Sequence, residues 1–108
     1  MRRYLLLGAA LWCVGFAAQA AGEAEREAGR KLFNSGTQPS CAVCHTLRDA
    51  GAEGAVGPVL DELQPDEARV ANVLRTGLGV MPPFRDKLTE QQIALLARYV
   101  AQASAPPR

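Results

Sequence analysis

The chain has 108 residues, 48% of them hydrophobic, and a formal net charge of +1. This charge balance excludes the strongly basic surface that nucleic-acid binding requires, so no nucleic-acid partner is expected. The length allows one small domain with a thin hydrophobic core.

A leader is predicted over residues 1–20. Arg2 and Arg3 form a short basic region, a long apolar run follows, and Ala18-Gln19-Ala20 has the small residues of a signal-peptidase site. The apolar run is shorter than the roughly 20 residues of a membrane-spanning helix, and an uncleaved anchor is the alternative. Cleavage after this motif predicts a periplasmic domain of residues 21–108, with no membrane span and, without the two arginines, a net charge of −1.

The first helix of the mature domain is predicted over residues 23–33. Acidic residues lead and basic residues follow, an order that suits the helix dipole. Ala28, Leu32 and Phe33 form a narrow apolar face. Gly29 would allow a second helix to approach closely, or is an ordinary surface glycine.

A C-x-x-C-H motif follows at Cys41, Cys44 and His45. Two thiols three positions apart lie on one helical turn, so both can reach the two vinyl groups of one porphyrin, and the adjacent imidazole can bind its iron. The motif is typical of covalent haem attachment. The alternative is a disulfide of the thioredoxin type, which an oxidising compartment favours. However, no strand-like run precedes Cys41, and the disulfide gives His45 no role.

Loop and helix signals alternate in the next part of the chain. The segment from Asp49 to Pro58 contains three glycines and is predicted to be flexible and irregular. Pro65-Asp66-Glu67 marks the start of a second helix, which Gly77 is expected to end.

The C-terminal part contains a restrained loop and the last helix. Pro82 disfavours the α conformation at Met81, which is therefore expected on an extended loop. Thr89 is the predicted N-cap of the last helix, with Gln92 as its capping-box partner. No strand signal of similar strength occurs, so the predicted fold class is all-α, with short helices and long loops. The apolar stripe of the last helix comprises Ile93, Leu96, Ala97 and Val100, with Tyr99 beside it.

The inventory of metal ligands is short. His45 is the one histidine, and Met81 is the only methionine once Met1 is removed with the leader. Met81 is either a core residue or, with His45, one of two axial ligands of a single iron. Filling both positions favours electron transfer over chemistry at the iron. Zinc would need a fourth ligand from another chain, and copper sites with Cys, His and Met usually contain two histidines.

Together these motifs resemble those of class I cytochromes c, which are small all-α monohaem electron carriers. The resemblance implies three to four short helices and long loops around one covalent haem c, with no catalytic residue. It also implies that Cys41 and Cys44 form thioethers, that His45 and Met81 bind the iron, and that the Pro58 carbonyl accepts the His45 N–H. The first and last helices are expected to cross. The matching motifs are Cys41-x-x-Cys44-His45, Gly57-Pro58-x-Leu60, Met81-Pro82-Pro83-Phe84 and the last helix with Leu96 and Tyr99, and the expected crossing has Gly29 and Phe33 on one side and Tyr99 on the other.

Three loop segments are also similar to the haem subunit of bacterial periplasmic sulfite dehydrogenases. This resemblance implies a carrier that accepts electrons from a molybdenum-cofactor subunit and passes them to a downstream respiratory cytochrome or oxidase. The alternatives are a freely diffusing respiratory shuttle and a haem sensor or enzyme with a displaceable methionine. Arg75, Arg85 and Lys87 are candidates to bind the haem propionates. The three segments are Ala50-Gly51-Ala52-x-Gly54, Leu60-Asp61-Glu62-Leu63 and Gly77-Leu78-Gly79-Val80-Met81.

Overall fold

A computed structural model describes residues 5–107 of the chain. The described part is mostly helical, which confirms the predicted all-α class, and three of its five helices are longer than a single turn. The strands are two residues long and flank a 3-10 turn. The helices are α1 (Leu5–Ser35), α2 (Cys41–Cys44), α3 (Leu60–Leu63), α4 (Glu67–Thr76) and α5 (Glu90–Ser104); the strands are β1 (Thr46–Leu47) and β2 (Ala52–Glu53), and the 3-10 turn is Arg48–Ala50.

Helix α1 begins well before the predicted helix start at residue 23. Residues 15–20 are exposed, and the Phe16 side chain is 68% exposed. Packing begins near Arg26 and continues through Gly29 and Phe33, which lie on one face at three- and four-residue spacing. Ala28, expected on the apolar face, is exposed because it lies outside that face. No helix within residues 5–107 combines the length and apolar character needed to cross a membrane.

Helices α1 and α5 cross at Gly29, as the sequence predicts. A Cβ atom on Gly29 would lie 2.4 Å from the Tyr99 Cβ, so only glycine permits this approach. The Phe33 and Tyr99 rings pack edge to face, with centroids 6.3 Å apart. The crossing therefore depends on a small residue on one helix and an aromatic residue on the other.

Helix α5 supplies the centre of the core. Its predicted stripe is confirmed, since Ile93, Leu96, Ala97 and Val100 are all buried. The predicted capping box is also present, because the Gln92 backbone N–H donates to the Thr89 hydroxyl at 3.1 Å and the Thr89 N–H donates to the Gln92 side chain at 2.9 Å. Helix α5 packs against both α1 and α4. The remaining buried hydrophobic residues are Phe33, Leu47, Ala52, Leu60, Leu74, Phe84, Leu88 and Tyr99.

The segment predicted as a flexible loop from Asp49 onward is instead held in place. Strands β1 and β2 pair antiparallel, with Thr46 opposite Glu53 and Leu47 opposite Ala52. Leu47 is fully buried and Ala52 nearly so. The segment is therefore less irregular than predicted at β2, whose pairing is local, while its side-chain contacts come from distant helices.

Asp49 makes most of those distant contacts. Its carboxylate accepts hydrogen bonds from Arg26 at 2.5 Å, Arg30 at 3.0 Å and the Tyr99 hydroxyl at 2.7 Å. Its backbone carbonyl accepts a further bond from the Arg30 Nε at 3.1 Å. Burial opposes ionisation of Asp49, but the bonds from Arg26, Tyr99 and Arg30 lower its pKa below the usual value. We call Asp49, Arg26, Arg30 and Tyr99 the Asp49 cluster.

Candidate functional site

The C-x-x-C-H motif forms the single-turn helix α2. The His45 backbone N–H donates to the Cys41 carbonyl at 2.9 Å, which closes the turn. Cys41 and Cys44 both line one cavity and are not joined in a disulfide. Burial raises the pKa of the Cys41 thiol to about 11, so this thiol is neutral at physiological pH. The predicted geometry of two thiols on one turn is therefore present.

The His45 ring is oriented by the loop that follows β2. Its Nδ1 lies 2.8 Å from the Pro58 carbonyl oxygen. A carbonyl can only accept, so Nδ1 carries the proton and Nε2 of the neutral ring keeps a lone pair for a metal. The loop is held close, because the Gly57 N–H donates to the Cys44 carbonyl at 2.6 Å. A Cβ on Gly57 would lie 2.5 Å from the His45 Cε1, so a larger residue would displace the ring.

Met81 lies at the end of a tight turn after α4. The backbone groups of Leu78 and Met81 exchange two hydrogen bonds of 3.0 Å. Gly77 has a φ of 69°, and a Cβ there would lie 2.7 Å from the Met81 carbonyl oxygen. A bond of 2.7 Å from the Phe84 N–H to the Leu74 carbonyl ties the end of this segment to α4. This turn therefore adds to the restraint that the sequence attributed to the prolines.

These side chains meet at a single cavity of about 400 Å³. Cys41 and Cys44 come from α2, His45 follows them, and Met81 comes from the loop after α4. Most of the remaining wall is apolar. All five helices contribute to it, and α1 does so through Phe33. Two thiols, an imidazole with a free lone pair and a thioether are the donors that a covalently held haem requires, so the residues fit this group. The apolar wall includes Phe33, Leu60, Val70, Val73, Leu74, Phe84, Leu96 and Val100.

The basic residues that the sequence offered as candidates for the propionates do not line this cavity. Arg75 pairs with Glu90 at 2.8 Å, and the Arg85 Nε donates to the Arg75 carbonyl at 3.0 Å. The Lys87 ammonium bonds to the Gln38 carbonyl. None of the three lines the cavity, whereas Arg69 does. Sequence reasoning did not single out Arg69, because nothing local to its position in the first turn of α4 indicates a cavity.

An apolar cavity with this donor set defines the class of protein as a c-type cytochrome. The chain belongs to the family whose model is described as cytochrome c oxidase, cbb3-type, subunit III, which matches residues 24–100. It therefore has covalently attached haem c and is an electron carrier rather than an enzyme in its own right.

Known proteins with a similar sequence or structure agree with this assignment. The chain is 35% identical to cytochrome c6 of Leptolyngbya boryana over 82 residues, covering 71% of this chain and 91% of the relative. It is 27% identical to cytochrome c-551 of Halorhodospira halochloris over 73 residues, covering 67% and 92%. The crystal structure of the c-type cytochrome SorU from Sinorhizobium meliloti matches with a TM-score of 0.72 and 44% identity, covering 76% of this chain and 93% of that one.

Proposed function

We propose that the protein is a periplasmic electron-transfer cytochrome whose single haem is ligated by His45 and Met81. In this proposal Cys41 and Cys44 carry the haem through two thioethers, and the Pro58 carbonyl orients the His45 ring. One observation carries the proposal: the thiols, the imidazole and the thioether all line the same apolar cavity.

Each ligand has a distinct physical role. Haem c, when bound, supplies an iron that exchanges one electron. The bond from His45 to Pro58 holds the ring in one tautomer, so Nε2 is available in both oxidation states. The Met81 thioether favours Fe(II), and the apolar wall disfavours the extra charge of Fe(III), so both raise the reduction potential. If His45 and Met81 both hold the iron, little would have to move when an electron passes.

The Met81 role is tested by Met81→Ala in protein matured in a periplasmic haem-attaching host. The haem content by pyridine haemochrome should be unchanged, while the sulfur-to-iron charge-transfer band of the oxidised protein is lost and the reduction potential falls. The matched control is Val80→Ala, because Val80 directly precedes Met81 in the chain and its side chain is 89% exposed. A Met81→Ala variant with the wild-type band and potential would contradict the assignment. Carbon monoxide binding to the reduced wild type would instead favour a displaceable methionine.

We propose that the protein is exported and that its leader is cleaved after Ala20. The packing supports this proposal, because residues 15–20 are exposed and the contacts of α1 with the rest of the fold begin near Arg26. Residues 15–20, which cleavage would remove, therefore contribute no buried side chain. Intact mass measurement of the periplasmic protein tests the cleavage, and a mass that includes residues 1–20 would support an uncleaved anchor instead.

We propose that the protein is a dedicated subunit of a molybdenum-cofactor dehydrogenase, specifically a sulfite dehydrogenase. The three loop segments noted in the sequence support it, and the 44% identity to SorU is consistent with a bacterial c-type cytochrome of this kind. Val56, Leu78 and Val80 are exposed apolar residues at the mouth of the cavity. A dedicated subunit would bury them in a stable contact, whereas a diffusing shuttle would make a small, salt-sensitive one.

Affinity purification of the tagged protein from the periplasm of its native organism, at low and high salt, distinguishes a dedicated subunit from a diffusing shuttle. Retention of a molybdenum-containing subunit with sulfite-dependent haem reduction at both salt concentrations is expected. Recovery of the cytochrome alone, together with a rate of electron transfer to a partner that falls as the salt concentration rises, would favour the freely diffusing shuttle.

A further inference from the structure

The chain that leads to Pro58 runs directly over the backbone of the haem-attachment motif. A Cβ atom on Gly54 would lie 2.6 Å from the Ala42 carbonyl oxygen and 2.6 Å from the His45 backbone nitrogen. Both are backbone atoms, so neither can move aside without disturbing α2 or His45. Gly54 does not have a positive φ, so the close approach of the two segments, rather than its own conformation, requires a glycine here.

One side-chain hydrogen bond fixes Gly54 in this position. The Thr46 hydroxyl donates to the Gly54 carbonyl oxygen at 2.9 Å, and Thr46 directly follows His45 in the chain. Thr46 also lies opposite Glu53 in the pairing of β1 with β2, so the bond extends that strand contact by one residue. The hydroxyl therefore ties the start of the segment that carries Pro58 to the residue beside the proposed iron ligand.

Two more hydrogen bonds hold the same segment further along. The Gly57 N–H donates to the Cys44 carbonyl at 2.6 Å, and the His45 Nδ1–H donates to the Pro58 carbonyl oxygen at 2.8 Å. We call residues 54–58 the Pro58 segment. Bonds at both of its ends and within it hold it against three consecutive residues of the chain. The segment is too short to absorb a shift at its start, so such a shift moves the acceptor at its end.

We propose that Thr46 and Gly54 are positioning residues that set the strength of the hydrogen bond from His45 to Pro58. The proposal rests on the haem site proposed above, in which the His45 Nε2 binds the iron. A well-placed acceptor for Nδ1–H raises the basicity of the ring, which stabilises Fe(III) relative to Fe(II). Two residues that do not line the cavity therefore tune the electron donation of the ligand.

Loss of the Thr46 hydroxyl should weaken this control in a defined direction. Without its bond to Gly54 the Pro58 segment opens more often, and the His45 Nδ1–H loses its acceptor in the open state. One hydrogen bond of this kind changes an equilibrium by about 2- to 10-fold, so exchange of the Nδ1 proton with solvent should become faster by a similar factor. The ring then donates less charge to the iron, and the reduction potential should rise.

The test compares haem-loaded Thr46→Val, Thr46→Ser and Gly54→Ala. Exchange of the His45 Nδ1 proton is followed by NMR of the reduced protein, and the reduction potential is measured by spectroelectrochemistry. Thr46→Val should speed the exchange by about 2- to 10-fold and raise the potential, Thr46→Ser should restore both, and Gly54→Ala should change both at least as much as Thr46→Val. Thr89→Ala is the control, because it also removes a hydroxyl that forms a hydrogen bond but does not line the cavity.

The proposal is overturned if Thr46→Val keeps the wild-type exchange rate and potential, or if Thr89→Ala changes them as much. It is also overturned if Thr46→Val and Thr46→Ser act alike, because serine keeps the donor. Where Gly54→Ala fails to fold, the two Thr46 variants decide. The proposed ligation fails separately, through absence of the Met81 charge-transfer band in the wild type, so the band is recorded for every protein.

Discussion

Replacement of Asp49 by asparagine removes an anion that joins the segment after the haem-attachment motif to the crossing of α1 and α5. The Asp49 side chain is 17% exposed and accepts a 2.7 Å bond from the buried Tyr99 hydroxyl. A hydrogen bond to a charged acceptor contributes about 1.5–3 kcal/mol. The arginine partners are much more exposed, so solvent screens their pairs with Asp49. We therefore expect Asp49→Asn to lower the free energy of unfolding by roughly 2 kcal/mol at pH 7.

The effect should depend on pH in one direction. The folded protein lowers the pKa of Asp49, so the stabilisation is complete above the unfolded value of about 3.9 and is lost as pH falls through the folded value. Urea unfolding of the holoprotein followed by circular dichroism at pH 7, 5 and 3 should show a difference from wild type that shrinks with acid. Glu90→Gln is the control, since it removes an exposed pair. Equal stability of Asp49→Asn and wild type at pH 7, or a difference that stays constant to pH 3, would refute the reasoning.

Two further substitutions test the packing and the capping. Gly29→Ala places a methyl group 2.4 Å from the Tyr99 Cβ and should destabilise the protein by about 1–3 kcal/mol in urea unfolding, whereas Gly22→Ala, with nothing within 4 Å, should not destabilise it. Equal effects of the two would argue against a close helix crossing. Thr89→Ala should cost about 1 kcal/mol by thermal unfolding through loss of the bond from the Gln92 N–H, and Thr89→Ser should retain most of that stability. Loss of the same stability in both variants would assign Thr89 a role other than capping.

Features encoded by neighbouring residues could be predicted from the sequence. The spacing of Cys41 and Cys44 predicted one helical turn, and the pair of Thr89 and Gln92 predicted a capping box; the structure has both. The stripe on α5 predicted its buried face because helical periodicity depends only on residues a few positions apart. The hydrogen bond from His45 to Pro58 came from the family resemblance, since nothing local to either residue indicates the other.

Other features required the chain to be folded. Asp49 appeared to lie in a flexible loop, because its partners Arg26, Arg30 and Tyr99 are 19 to 50 positions away. Met81 was correctly expected to be restrained, but the turn with Leu78 that restrains it was missed.

The amino-acid sequence by itself determined the donor set: two thiols, one imidazole and one thioether, with the thiols and imidazole adjacent. Only the tertiary structure decided which basic residue lies beside the cavity, and it selected Arg69 over Arg75, Arg85 and Lys87. The physical reason is that a ligand set depends on residue chemistry and short spacing. The surroundings of a cavity, in contrast, depend on how α4 and α5 pack, and that packing joins residues whose separation in the chain carries no local signal.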